Sequence, residues 1–145
     1  MSVRVSWALR DDDGNAALAP SHTYAGNPVS AVAGRAALAL IAREETLARV
    51  RDAGALLAAE LAAAVGSRGR VRGVGLLYGV KLPAPPHRAA GEMGKAVESR
   101  CRERGMIVRG ESDWIVVAPA YVTTDAELRQ IARTIGAAID ELWAR

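Results

Sequence analysis

The chain has 145 residues and a mass of 15.2 kDa, with 50% hydrophobic residues, 24% charged residues and a formal net charge of +3. That composition is too apolar and too weakly charged for disorder, and the length suits one domain that needs neither metal nor disulfide to hold a core. A single cysteine, Cys101, excludes an internal disulfide and a Cys-based zinc site, no stretch of about 18 residues is apolar without interruption, and MSVRVSWALR lacks the features of a secretory leader. The expectation is a soluble, cytoplasmic protein with no membrane partner.

Residues 1–21 are weakly patterned, with RDDDGN reading as an acidic turn. Gly26-Asn27-Pro28 supplies an N-cap and a first-turn proline, which predicts a helix from Pro28. Its interior, VSAVAGRAALALIA, is apolar on most sides and predicts packing on several faces. The pattern breaks at Arg43-Glu44-Glu45. A second helix then runs to Val65, with Leu47, Val50, Leu57 and Leu61 as apolar positions and Gly66 as its stop. VRGVGLLYGVKL predicts one strand, because Val74, Leu76, Tyr78, Val80 and Leu82 alternate strictly. Gly73, Gly75 and Gly79 leave its other side bare enough for a close approach. After the loop PAPPHRAAG, GEMGKAVESRCRERG predicts a helix with Val97 and Cys101 on its apolar side. MIVR and WIVVA predict two short strands around a turn at ESD. Thr124-Asp125-Ala126-Glu127 is a capping box, and Leu128, Ile131, Ile135, Ile139 and Leu142 form the stripe of a last helix. This order implies an α+β layer: an antiparallel or mixed sheet with helices on one face.

A sequence pI near 9.5 raises nucleic-acid binding, but most arginines are interleaved with acids, as on a solvated helix face. The one like-charge cluster, Arg68, Arg70 and Arg72, reads as a charged loop before a strand, and no nucleic-acid partner is expected. His22 and His87 lie far apart without metal-type spacing, so no metal site is expected. Cys101 sits among arginines that favour a thiolate, yet on the apolar side of its helix; a nucleophile and a packed thiol are the two readings. No complete catalytic set follows from spacing. The constellation that stands out is Ser21-His22-Thr23-Tyr24 ahead of Gly26-Asn27-Pro28. Hydroxyls and backbone N–H groups before a helix N-terminus suit an anion, and they equally suit a plain helix cap.

HTYAGNPVSAVAGRAAL resembles the segment H-x-T-Y-x-G-N-P plus alanine-rich helix of class III pyridoxal-phosphate aminotransferases, enzymes of fold type I. VRGVGLLYGVKL resembles that family's V-R-G-x-G-L-x-x-G-x-x-L strand, and RERGMIVRGESDWIVVAPAYVTTDAEL resembles its block before the last helix. The three motifs stand in the family's order and spacing, and the resemblance covers nearly everything from about Ser21 to Arg145. The resemblance implies the small C-terminal domain of fold type I, a three- to four-stranded, mostly antiparallel sheet with helices on one face, at residues 44–145. It assigns 1–43 to a remnant of the large domain, comprising a phosphate-contact loop and a linking helix.

The implied activity is amino-group exchange between an amine or amino acid and a keto acid or aldehyde, with pyridoxal 5′-phosphate as cofactor and a homodimer or a missing large-domain fragment as partner. Thr23 carries over as the phosphate contact, with the His22 backbone beside it. Arg109, ten residues before Pro119, carries over as the arginine that binds a substrate carboxylate; its other reading is a surface arginine at a strand end. Departures lie nearby. Gly110 replaces the family's proline and Ala120 the second proline of A-P-P, and the arginine some members carry two positions before A-P falls at Val116. The Schiff-base lysine of the family precedes the threonine motif, whereas the only lysines here, Lys81 and Lys95, follow Thr23. The chain is therefore expected to be catalytically silent alone. The alternative reading is a non-enzymatic dimerisation or binding module derived from the same family.

Overall fold

The computed structural model describes residues 26–43 and 45–144. The chain divides into two units, Met1–Arg43 and Glu44–Arg145. In the first, helix α1 spans Pro28–Arg43. Its start is closed by Asn27, whose Oδ1 accepts from the backbone N–H groups of Val29 at 2.9 Å and Ser30 at 3.1 Å. The Ala31 N–H goes to the Asn27 carbonyl at 3.0 Å. Because Pro28 has no N–H, the first turn keeps no free donor. The apolar sequence predicts packing on several faces, and in this chain alone an exposed apolar surface; the structure has the exposed surface. Every residue of α1 from Pro28 to Ala42 is exposed, Val29 at 76% and Leu38 at 68% among them.

The second unit is an α+β layer. Helix α2 (Thr46–Val65) leads into strands β1 (Arg70–Val74) and β2 (Leu77–Lys81), then α3 (Met93–Glu103), β3 (Arg109–Glu111), β4 (Trp114–Val117) and α4 (Asp125–Trp143). The sheet order is β1-β2-β4-β3, antiparallel throughout. Tyr78, Val80, Ile115 and Val117 point from the sheet into one core with Leu57 and Leu61 of α2, Val97 and Cys101 of α3, and Leu128, Ile135 and Ile139 of α4. The helices thus cover one face of the sheet.

The predicted single strand over VRGVGLLYGVKL is a hairpin. Gly75 takes φ +55 in the two-residue turn between Val74 and Leu77, the handedness a tight hairpin requires. The turn reverses the chain in mid-pattern, so Val74 is 81% exposed while Tyr78, Val80 and Leu82 stay buried. The alternation was real only for its second half. Leu47, assigned to the core by helical spacing, is likewise exposed. SRGRVRG is not a loop throughout: Arg70 and Arg72 already belong to β1. Arg68 lies in the short 3-10 turn Gly66–Arg68 and bonds the Ala64 carbonyl at 3.0 Å and the Asp140 carboxylate.

Two close approaches fix the layer. At Gly136 on α4, an added Cβ would come 3.1 Å from the Ala64 side chain, so α2 and α4 pack backbone to backbone. At Gly94 on α3, a Cβ would strike the Trp114 and Ser112 carbonyls, and one at Gly110 on β3 would strike the Gly94 carbonyl. The capping box on α4 forms as the sequence predicts: Glu127 N–H donates to Thr124 Oγ1 at 3.3 Å, and Thr124 N–H donates to the Glu127 carboxylate at 2.7 Å. The Thr124 N–H and the Thr124 hydroxyl, which donates to Glu127 Oε2 at 2.8 Å, hold the Glu127 carboxyl below its ordinary pKa.

Candidate functional site

The face of the sheet turned away from the helices carries the polar chemistry. Strand geometry sends alternate side chains to opposite sides. Arg70 and Arg72 on β1, Lys81 on β2 and Arg109 on β3 are therefore exposed, while their neighbours Val80 and Gly110 are buried. Arg109, the predicted carboxylate-binding residue, is 78% exposed at its side chain, with Nη2 3.7 Å from Glu111 Oε2. That loose, solvated pair leaves most of the guanidinium's donors available.

Its backbone, by contrast, is held firmly. Gly110 rests on the backbone of Gly94, and its N–H donates to Glu98 Oε2 at 3.0 Å. Glu98 is only 16% exposed at its side chain and also bonds Lys95 at 2.9 Å and Arg102 at 2.8 Å. The Lys95 bond, the Gly110 N–H and the two positive charges hold the Glu98 carboxyl below its ordinary pKa. On the other side of β3, Ser112 takes φ +50 in the turn to β4 and its carbonyl accepts from Gly94 N–H at 2.7 Å. Asp113 accepts from Gly91 N–H at 2.8 Å through Oδ1, and through its carbonyl from Leu82 N–H at 2.8 Å. The departure from the family's proline at Gly110 thus has a local reason: proline would lack the N–H that reaches Glu98.

The register adds what the sequence did not reveal. Arg109 stands directly across the ladder from Val116. These are the two positions at which the family resemblance implies an arginine for a substrate carboxylate, the second in some members only. Directly opposed residues have Cβ atoms about 4.5–5.5 Å apart, so a guanidinium from either position reaches the same space.

The remaining predicted residues divide. Thr23 and His22 lie outside the described residues. The first-turn N–H groups of α1 are taken up by Asn27, the N-cap that the sequence predicts. Cys101 is fully buried, and burial pushes its thiol up to about 11 against the weaker opposing charge of Arg104, which settles it as a packed thiol. His87 Nε2 lies 3.1 Å from the Leu142 carbonyl, a structural contact. Among the described residues, no group of three or more His, Cys, Asp or Glu is placed to hold a metal ion, and no helix is long and apolar enough to cross a membrane.

Residues 6–139 match the family model of class-III aminotransferases. The chain belongs to that family. It is 38% identical over 123 residues to acetylornithine aminotransferase from Corynebacterium efficiens, covering 84% of this chain and 28% of that protein. It is 34% identical over 125 residues to adenosylmethionine-8-amino-7-oxononanoate aminotransferase from Nitratidesulfovibrio vulgaris, covering 81% and 23%. The chain thus spans about a quarter of the length of the curated relatives it matches. Among solved structures, a thermostable ω-transaminase from Pseudomonas jessenii superimposes with a TM-score of 0.75 at 26% identity, over 86% of this chain and 29% of that one. Another ω-transaminase structure from that organism, in complex with PMP, superimposes with a TM-score of 0.66 at 27% identity, over 72% and 25%. The α+β layer is therefore a class-III aminotransferase layer of fold type I.

Proposed function

We propose that this chain serves the amino-group exchange of a pyridoxal-phosphate-dependent aminotransferase, moving an amino group between an amine or amino acid and a keto acid or aldehyde. In this reading residues 44–145 are the small C-terminal domain, and Arg109 binds the substrate carboxylate. Residues 1–43 bring the phosphate-contact loop, in which the Thr23 hydroxyl and the His22 backbone meet a cofactor held mainly by a second subunit. The observation that carries the reading is Arg109. It is a solvated guanidinium on a backbone pinned from below by Gly110 and Glu98, in a chain of the class-III family. A planar fork on a fixed strand suits bidentate capture of a carboxylate.

The described residues do not hold the cofactor by themselves. The bound group supplies an electron sink, which needs an amine for attachment and an acid beside its ring nitrogen. Lys95 lies on the surface of α3 in a 2.9 Å ion pair with Glu98, and the cleft beside Lys81 is lined by no carboxylate. In this reading, as the resemblance implies, the amine and the acid belong to the large domain that precedes the matched region in the family. The part of the present residues is to bind and orient a carboxylate.

Two measurements test this. The purified chain, given pyridoxal phosphate, an amine donor and a keto acid, is expected to show no turnover; turnover would overturn the incomplete-site reading. Replacing the matching region of the Corynebacterium efficiens enzyme with this chain is expected to keep turnover. In that chimera Arg109→Ala should raise KM for carboxylate substrates about tenfold or more with kcat little changed, as loss of a charged hydrogen-bond pair predicts. Adding Val116→Arg should recover much of that loss. A soluble, folded chimera without activity favours the non-enzymatic module instead.

A further inference from the structure

The open face holds a second feature that the carboxylate reading does not use. Where β1, β2 and β4 run side by side, a cleft of about 320 Å3 is lined by Arg70, Arg72, Lys81 and Trp114, with Ser67 and Gly69 at its rim. Arg70 sits directly opposite Lys81 in the ladder, and Arg72 projects from the same face two residues on. Like charges directly opposed across strands are destabilising. Among the described residues neither arginine has an acidic partner, although Arg68, two positions earlier, pairs with Asp140. Glu111, the acid nearest in register on β4's other side, faces Trp114 across β3–β4 and pairs with Arg109. Three cations are thus gathered on one spot with no acid lining it.

The floor is aromatic. A Cβ at Gly79 would come 3.3 Å from Cε3 and Cζ3 of Trp114, so the absent side chain lets the indole lie across β2. Lys81 Nζ lies over the Trp114 ring, 5.8 Å from its centroid, a cation–π contact that a base stacking on the indole would displace, which frees the ammonium for the phosphates. An indole plate combined with two guanidiniums and an ammonium suits a planar aromatic group joined to several anionic oxygens. One carboxylate would leave most of the positive charge unanswered, whereas a diphosphate meets three cations at once. The cleft's volume falls at the lower end of small-molecule sites, the size of a mononucleotide rather than a strand.

We propose that this cleft binds a nucleoside diphosphate, its base stacked on Trp114 and its phosphates between Arg70, Arg72 and Lys81. The site is separate from Arg109 and does not rest on the transaminase reading, so failure of either leaves the other standing.

The test titrates the 145-residue chain with ADP, pyrophosphate and adenosine by calorimetry at low salt. ADP should bind with Kd at or below about 100 μM, about tenfold tighter than pyrophosphate and tighter still than adenosine. The double variant Arg70→Ala/Arg72→Ala, whose side chains are exposed, should weaken ADP about tenfold or more while the midpoint of thermal unfolding does not fall, since it also removes the like charge opposite Lys81. Lys81→Gln, an independent variant, should weaken it less, and Trp114→Phe should narrow the gap between ADP and pyrophosphate. Equal affinity for ADP and pyrophosphate, or affinity untouched by the double variant, would overturn the proposal. So would a single-stranded RNA that outcompetes ADP at equal nucleotide concentration, which would make the cleft part of a nucleic-acid track.

Discussion

The two faces of the sheet are built from the same four strands, yet they obey different rules. The covered face reads Tyr78, Val80, Ile115 and Val117, buried against three helices. The open face reads Arg70, Arg72, Lys81, Arg109 and Glu111 together with Val74, Leu77, Gly79, Val116 and the half-buried Trp114, a mixed and largely solvated surface. On the first, each side chain contributes through area removed from water and through fit. On the second, a side chain contributes little to folding, so it is free to be chosen for what it binds. The junction between them is β3, where one residue, Gly110, is buried against α3 while its neighbour Arg109 points outward. If Arg109 binds a carboxylate as proposed, it gains precision from the rigidity of the covered face without being part of it.

That contrast can be broken by mutation. The largest effect should come from Ile115→Ala on the covered face, which leaves a cavity in the core and should cost about 2–5 kcal/mol in urea unfolding. Gly110→Ala comes next. Its Cβ would press on the Gly94 carbonyl and push β3 away from α3, and the expected loss is about 1–3 kcal/mol. If either variant unfolds like the wild type, the covered face is looser than its burial implies.

Acid should act through the same junction. Glu98 is held ionised by Lys95, the Gly110 N–H and Arg102. Its folded pKa lies below the unfolded one, so its contribution is complete above the unfolded carboxyl range and is lost as pH falls through the folded value. The urea midpoint should fall on acidification below about pH 4.3, and Glu98→Gln should lower it at neutral pH and flatten that slope. A slope unchanged in the variant would assign the acid sensitivity elsewhere, with Glu127 and its cap as the next group to examine. The smallest effect belongs to the open face. Val116→Ala, at 37% exposure, should shift stability within about 0.5 kcal/mol, and a larger shift would mean that this face is covered in solution.

The sequence was legible where one periodicity ran uninterrupted. The capping box and the stripe of α4, the Asn27 cap of α1 and the glycine stop after Val65 all stand where residue chemistry places them. It misled where a local pattern had two solutions. The alternation from Val74 to Leu82 fits one strand as well as the second half of a hairpin, and only pairing with β1 selects the hairpin. SRGRVRG looked like a charged loop because period-two arginines resemble solvation. In a strand the same spacing puts Arg70 and Arg72 side by side on one face.

Alone, then, the residues determined the four α-helices of the described residues, the α+β class, the family resemblance and Arg109 as the residue to watch. Those features are local or carried by motifs, and local hydrogen bonding, capping and hydrophobic period suffice for them. Tertiary structure decided which side of the sheet is open, that Arg109 and Val116 share one place, that Cys101 is buried in the core, and that Arg70, Arg72, Lys81 and Trp114 line one cleft. Each of these depends on register between segments distant in sequence. Register is fixed only when the covered face finds its helices, because a one-residue slip would exchange the two faces.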